Sequence, residues 1–215
     1  ANPEGEFYSV TPVDEASLTR MLHLQLHFDV HSWAVWAHRE ALPAEAIDFV
    51  LQHPEVIDGQ RTTARTLTFF FRLWQQYDMP SADDSHLRLL LQSSVQDHAA
   101  QQFLAFLQDQ QFELPDAPTL LRQPLGQSQA LFETLLASTP PRQDLLSLLM
   151  SRLLVYLERQ QELNTEAQNQ LSELLLLPSL PPEQVLLLLH SLSKRQHPVL
   201  GSLMRKPELA RLLLQ

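Results

Sequence analysis

The sequence has no cysteine, and only 4 of its 215 residues are glycine. The absence of cysteine excludes disulfide bonds and thiolate metal sites, but it constrains the cellular compartment only weakly. No apolar run approaches the roughly 20 residues that a membrane-spanning helix needs, and the first residues show no charged-then-apolar targeting pattern. We therefore expect a cytoplasmic protein without a membrane partner.

Positive charge is also scarce, since 15 Lys and Arg stand against 25 Asp and Glu and give a formal net charge of -10. Such a chain lacks the broad basic field of general nucleic-acid binding. Hydrophobic residues, by contrast, make up 44% of the chain, with much leucine, much glutamine and few β-branched residues. Leucine and glutamine favour helices, so the composition predicts a mainly α fold.

The first 30 residues suggest a chain that begins in the middle of a larger protein. Asn2, Pro3 and Gly5 form a turn signal with no element before it. A short helix capped by Asp14 is predicted next. The segment 22–28 then alternates apolar and polar residues, which predicts a strand with one buried face. Because a lone strand is not stable, we expect the rest of its sheet to lie upstream of Ala1.

Beyond residue 30 the hydrophobic spacing becomes helical. Three helices are predicted within 31–78; the first carries Trp33 and Trp36 on one face, and the third begins after Thr62 or Thr63. The polar segment 79–85 is a possible domain boundary, followed by one long helix or a broken pair. Further helices are predicted within 127–138, 142–162, 165–177, 182–194 and 207–214.

Motifs for self-contained catalysis are missing from the sequence, including GxxxxGK[ST], HExxH, GxSxG and the EF-hand loop. His23, His27 and His31 recur every four residues, and His23 and His27 lie on the predicted strand, but no nearby carboxylates converge on them. We therefore expect a solvated face there and no metal site. The aromatic run from Phe69 to Trp74 is expected to belong to the core.

An ordered set of short patterns nevertheless resembles the second half of the AAA+ ATPase core of the MoxR-like branch, over roughly residues 1–78. In that family an Ala-Asn-Pro segment ends a central strand, an Asp-x-Ala-x-x-x-Arg helix follows, and a helical lid comes after the last strand. The matching patterns here are Ala1-Asn2-Pro3, Asp14-Glu15-Ala16 with Arg20, Trp33-x-x-Trp36-Ala37, Ile47-Asp48-Phe49-Val50, His53-Pro54-Glu55 and Thr63-Ala64-Arg65-Thr66-Leu67.

The resemblance implies roles for three residues. Asn2 matches the sensor 1 residue, Arg20 matches the arginine finger that reaches a neighbouring subunit, and Arg65 matches the sensor 2 residue of the lid, with Arg61 and Arg72 as rival candidates. Such roles suit these side chains, because a guanidinium offers a rigid fork to phosphate oxygens and phosphoryl transfer depends on positioning and charge neutralisation.

The resemblance also implies ATP and Mg²⁺ as cofactors of the intact protein, a homo-oligomeric ring and a protein client. The Walker A and Walker B segments would precede Ala1, so this chain alone should not hydrolyse ATP. We expect three parts: residues 1–30 as the end of the AAA+ α/β core with one strand, 31–78 as the helical lid, and 86–215 as an all-α C-terminal extension.

Two other functions remain open at this stage. The chain could be a complete, non-enzymatic helical module for protein interaction, in which case the predicted strand has to pair in a dimer. It could also be a clamp-loader-like AAA+ subunit, in which a helical collar follows the lid. The acidic charge balance and the pattern of the lid favour the MoxR-like interpretation.

Overall fold

The computed structural model describes residues 16, 19–22, 24, 27–59, 61–109, 113–160 and 162–214, and within them the chain forms helices and turns without a strand. The mainly α prediction is confirmed. The α-helices are α1 (Val30–Arg39), α2 (Ala44–Gln52), α3 (Ala64–Gln76), α4 (Ser85–Ser94), α5 (Asp97–Gln108), α6 (Ala117–Leu120), α7 (Leu125–Ala137), α8 (Gln143–Arg159), α9 (Thr165–Leu175), α10 (Pro182–Lys194), α11 (Val199–Leu203) and α12 (Pro207–Leu213).

The helices that the sequence predicts beyond residue 30 are present, and the segment after residue 85 is a broken pair rather than one long helix. The short helix predicted after Asp14 lies partly outside the described residues. The break between α4 and α5 falls at Val95, whose backbone is extended. The amide of Gln96 donates to the hydroxyl of Thr62 at 3.0 Å. This bond ties the break to the loop before α3, so α5 folds back into the same core instead of continuing α4.

The strand predicted for 22–28 is wrong for the residues of that segment that the structure describes. Leu22, Leu24, His27 and Phe28 lie outside any strand, and the side chains of Leu22 and Leu24 are 85% and 76% exposed. A strand needs a neighbour to pair with its backbone and cover its apolar face, and the described part of the chain supplies none. Asn2 and Asp14 lie outside the described residues.

Two hydrophobic cores organise the helices. The first is built mainly from α1 to α5, with Phe103 at its centre among Phe49, Phe70 and Trp74, whose ring centroids lie 5.0–5.3 Å away. The second is built mainly from leucines of α6 to α12. No helix in the described part of the chain is both long and apolar enough to cross a bilayer.

Helix α8 belongs to both cores. Leu148 and Val155 pack in the first core, whereas its opposite side, which includes Leu149 and Leu153, packs in the second. A helix with apolar side chains nearly all round is a buried helix, and this one holds the two halves of the chain together. The proposed boundary at 79–85 stays a prediction, although the first core continues across it.

Candidate functional site

The most distinctive surface feature near a predicted site residue is a groove between α1 and α3, with a volume of about 450 Å³. We call it the Arg65 groove. Its lining combines aromatic rings from both helices with two guanidinium groups of α3, a combination that suits a ligand with an apolar part and a negative charge. The residues that line the groove are Trp33, Trp36, Ala64, Arg65, Thr68, Phe69 and Arg72.

Local sequence fixes where α3 begins and therefore where Arg65 lies. Thr63 is the N-cap, and it forms a reciprocal capping box with Thr66: each hydroxyl accepts from the other residue's amide, at 3.2 Å and 2.8 Å. The sequence predicted Thr62 or Thr63 as the cap, and Thr63 is confirmed. Arg65 thus stands in the first turn, at the positive end of the helix dipole.

The three arginines considered for the sensor 2 role differ in what they contact. Arg61 donates to the carbonyls of Gln92 and Ser93 at 2.7 Å and 3.1 Å, at the C-terminal end of α4. Arg72 pairs with Glu40 at 2.8 Å, and both side chains are about half exposed. Arg65 is exposed and forms no hydrogen bond or ion pair with any residue the structure describes. Of the three, it has the guanidinium most available for a ligand.

The aromatic rings that line the groove are partly buried and partly exposed. Trp33 is 8% exposed, and its indole nitrogen has no hydrogen-bond partner among the described residues. Trp36 is 40% exposed and Phe69 is 61% exposed. Phe70 and Trp74 are core residues, as expected, but Phe69 is not, because one turn of helix cannot bury every side of a Phe-Phe-Phe run.

The other predicted site residues are not brought into this groove by the part of the chain that the structure describes. Arg20 lies in an exposed turn, where the neighbouring Thr19 hydroxyl donates to the carbonyl of Ala16 at 3.0 Å. No hydrogen bond or ion pair links it to Arg65 within the described ranges. Asn2 lies outside the described residues. The described residues also contain no group of three or more His, Cys, Asp or Glu that could hold a metal ion.

A second cavity, which sequence reasoning missed, lies between α2, α5 and α8, and several charged side chains are part of its lining. Two of the lining residues form an ion pair: Arg152 donates two hydrogen bonds to Asp48, of 2.6 Å and 2.8 Å, and it also donates to the carbonyls of Leu114 and Pro115. Asp48 is only 8% exposed. The sequence did contain a signal: a charged residue inside an apolar helix face needs a partner.

A third polar cluster joins the start of α1 to the ends of α8 and α10. Asp29 caps α1 by accepting from the Ser32 amide at 2.7 Å, and Arg195 donates to the same carboxylate oxygen at 2.8 Å. Burial alone would raise the pKa of Asp29, but the hydrogen bonds from Arg195 and Ser32 outweigh it and hold that pKa well below its usual value. Burial lowers the pKa of His31, and the nearby charge of Arg195 lowers it further.

Comparison of the chain with family models, with curated proteins and with solved structures finds no match.

Proposed function

We propose that this chain is the C-terminal part of a MoxR-like AAA+ ATPase, a cytoplasmic, ring-forming protein that uses ATP and Mg²⁺ to remodel a partner protein. The observation that carries the proposal is Arg65, which is exposed and unpaired among the described residues at the start of α3. A nucleotide phosphate approaching this point would meet a guanidinium fork and the positive end of a helix.

Arg20 and Asn2 complete the proposed machinery. An arginine finger acts on the nucleotide of a neighbouring subunit, so it has to project from the surface of its own subunit. The exposed turn that holds Arg20 is compatible with that requirement. Asn2 would orient the attacking water or sense the terminal phosphate from the tip of a core strand.

The test is ATP hydrolysis by the native, intact protein and by three single variants. Arg20→Ala should lower the hydrolysis rate by about 10³-fold or more, as loss of an arginine finger does. Arg65→Ala should weaken ATP binding or hydrolysis. Arg88→Ala is the matched control, because Arg88 is exposed on α4 and makes no ion pair within the described ranges. Wild-type hydrolysis by both Arg20→Ala and Arg65→Ala would refute the proposed roles.

A mixing experiment tests whether Arg20 acts between subunits. Arg20→Ala subunits keep their own nucleotide pocket, whereas subunits with a disabled phosphate loop keep their arginine. Mixed rings should therefore hydrolyse ATP faster than either variant alone. No recovery in rings shown to be mixed would contradict an arginine finger at this position.

A non-enzymatic helical module for protein interaction is the second candidate, favoured by the adjacent exposed rings of Trp36 and Phe69. The mass of the native protein separates the two functions. A mass near 24.7 kDa without ATP binding favours the interaction module, whereas a larger protein with an upstream phosphate loop favours the ATPase. A clamp-loader-like subunit would share the ATPase results and would instead bind a ring that slides on DNA.

A further inference from the structure

The start of the first helix is held by a residue from the far end of the chain. Arg195, which follows α10, donates to the carboxylate of Asp29 at 2.8 Å and to the hydroxyl of Ser32 at 3.3 Å. Asp29 is the N-cap of α1, and the same oxygen accepts from the Ser32 amide. The contact therefore acts on the residue that determines where the chain enters α1.

Arg195 is itself anchored on α8. Its Nε lies 2.6 Å from a carboxylate oxygen of Glu158, close enough for an ion pair, although the contact does not have the geometry of a hydrogen bond. The side chain of Glu158 is 13% exposed and that of Arg195 is 24% exposed. One planar guanidinium thus joins the C-terminal end of α8, the end of α10 and the start of α1, a geometry that a lysine ammonium cannot reproduce.

We propose that Arg195 is a positioning residue through which the C-terminal extension controls the hinge at which the lid begins. This inference rests on the proposed function, in which α1 is the first lid helix and the chain before Asp29 belongs to the ATPase core. With Arg195 engaged, the entry to α1 is fixed against α8 and α10. With Arg195 released, the N-cap of α1 is no longer tied to α8 and α10, so in the proposed ATPase α1 could shift at this point, as hinge closure around a nucleotide requires.

Substitutions at Asp29 and Arg195 can separate hinge control from ordinary helix capping. Asparagine is as good an N-cap as aspartate, so Asp29→Asn keeps the bond to the Ser32 amide and removes the charge that Arg195 binds. Arg195→Gln removes the same contact from the other side. If Asp29 and Arg195 act only through their contact with each other, the double variant should show the same change in exchange rates as either single variant, not the sum of the two changes.

The measurement is hydrogen exchange of individual amides in the 215-residue chain, without nucleotide. In Arg195→Gln the amides of Ser32 and Trp33 should exchange about tenfold faster, while the amides of α3 keep their wild-type rates. Asp29→Asn should accelerate exchange at the same amides. Arg195→Lys should accelerate it less than Arg195→Gln does, because a lysine can keep only part of the contact. Arg205→Gln is the control, because Arg205 is exposed and makes no side-chain ion pair with a described residue.

Two results would overturn the proposal. One is unchanged exchange at Ser32 and Trp33 in Arg195→Gln, and the other is an equal acceleration in α3, which would make Arg195 a general stabiliser. The measurement needs no ATP, so its failure is distinct from failure of the ATPase assay. In the native ATPase, Arg195→Gln should also change the ATP concentration for half-maximal hydrolysis, and Arg205→Gln should not.

Discussion

Replacement of Arg152 by methionine should destabilise the protein by about 3 kcal/mol. Removing one partner of a buried ion pair costs about 3–5 kcal/mol, because the other charge stays buried without compensation. Here the side chain of Asp48 is 11% exposed and that of Arg152 is 23% exposed, so some water can reach the pair and the lower end of that range applies. The carbonyls of Leu114 and Pro115 also lose their donor.

Urea unfolding measures this loss directly. With a slope of about 1–3 kcal/mol per molar urea, a change of about 3 kcal/mol lowers the midpoint by about 1–3 M, provided that the slope itself is unchanged. Asp48→Leu should cost a similar amount, whereas the double variant Asp48→Leu with Arg152→Met should recover most of it, because no buried charge remains.

Arg88→Met is the control, since it removes an exposed arginine of α4. It should stay within about 0.5 kcal/mol of the wild type. The reasoning fails if Arg152→Met behaves like Arg88→Met, or if the double variant is as unstable as the sum of the two single variants. Either result would mean that water solvates the Asp48–Arg152 ion pair between α2 and α8, so that neither charge depends on the other.

Three further predictions concern the first core, the cap of α3 and the acid response. Phe103→Ala should cost about 3–5 kcal/mol in urea unfolding, because Phe103 is 1% exposed at the centre of the aromatic cluster; a loss below about 1 kcal/mol would contradict that packing. Thr63→Ala should cost about 1 kcal/mol, whereas Thr63→Asn should keep most of that stability. The pKa of Asp29 is lower in the folded chain than its usual 3.8, so the stability from this group is complete above the unfolded pKa and is lost as pH falls towards the folded pKa. Unfolding measured between pH 5 and pH 2 should therefore depend less steeply on pH in Arg195→Gln, and an unchanged slope would be inconsistent with the contact.

Local patterns in the sequence were sufficient to predict most helices. The helix α10 (Pro182–Lys194) lies where its apolar spacing predicted, and the capping residue Thr63 fixes the start of α3. The period-two pattern of 22–28 failed for its described residues, because periodicity reports a possible face and not whether a neighbouring strand covers it. Such coverage depends on the rest of the fold, which a local window does not contain.

The sequence alone could not predict the long-range ion pairs that connect the helices of the described fold, for a related reason. Asp48 and Arg152 are 104 residues apart, and Asp29 and Arg195 are 166 residues apart. Each charge can be recognised as needing a partner when it interrupts an apolar face, but many opposite charges could serve. The exposure of Arg65 was equally undetermined, since the sequence offered Arg61 and Arg72 as rivals and only their observed partners separate the three.

The polar contacts between the two halves of the chain are distributed along α8, and this distribution limits how α1 and α2 can move. Gln52 donates to Asp144 near the start of α8, Asp48 binds Arg152 in its middle, and Arg195 joins Asp29 to Glu158 near its end. At a rise of about 1.5 Å per residue, the first and last of these positions are about 21 Å apart.

Sliding of α1 and α2 along α8, or their separation from it, would have to break these contacts. If nucleotide binding moves α1 and α2 in the proposed ATPase, α8 and the helices packed on its other side therefore have to move with them. Under the proposed function, the C-terminal extension would then act as part of the lid, and a partner bound to α10 or α12 would be displaced whenever the lid closed.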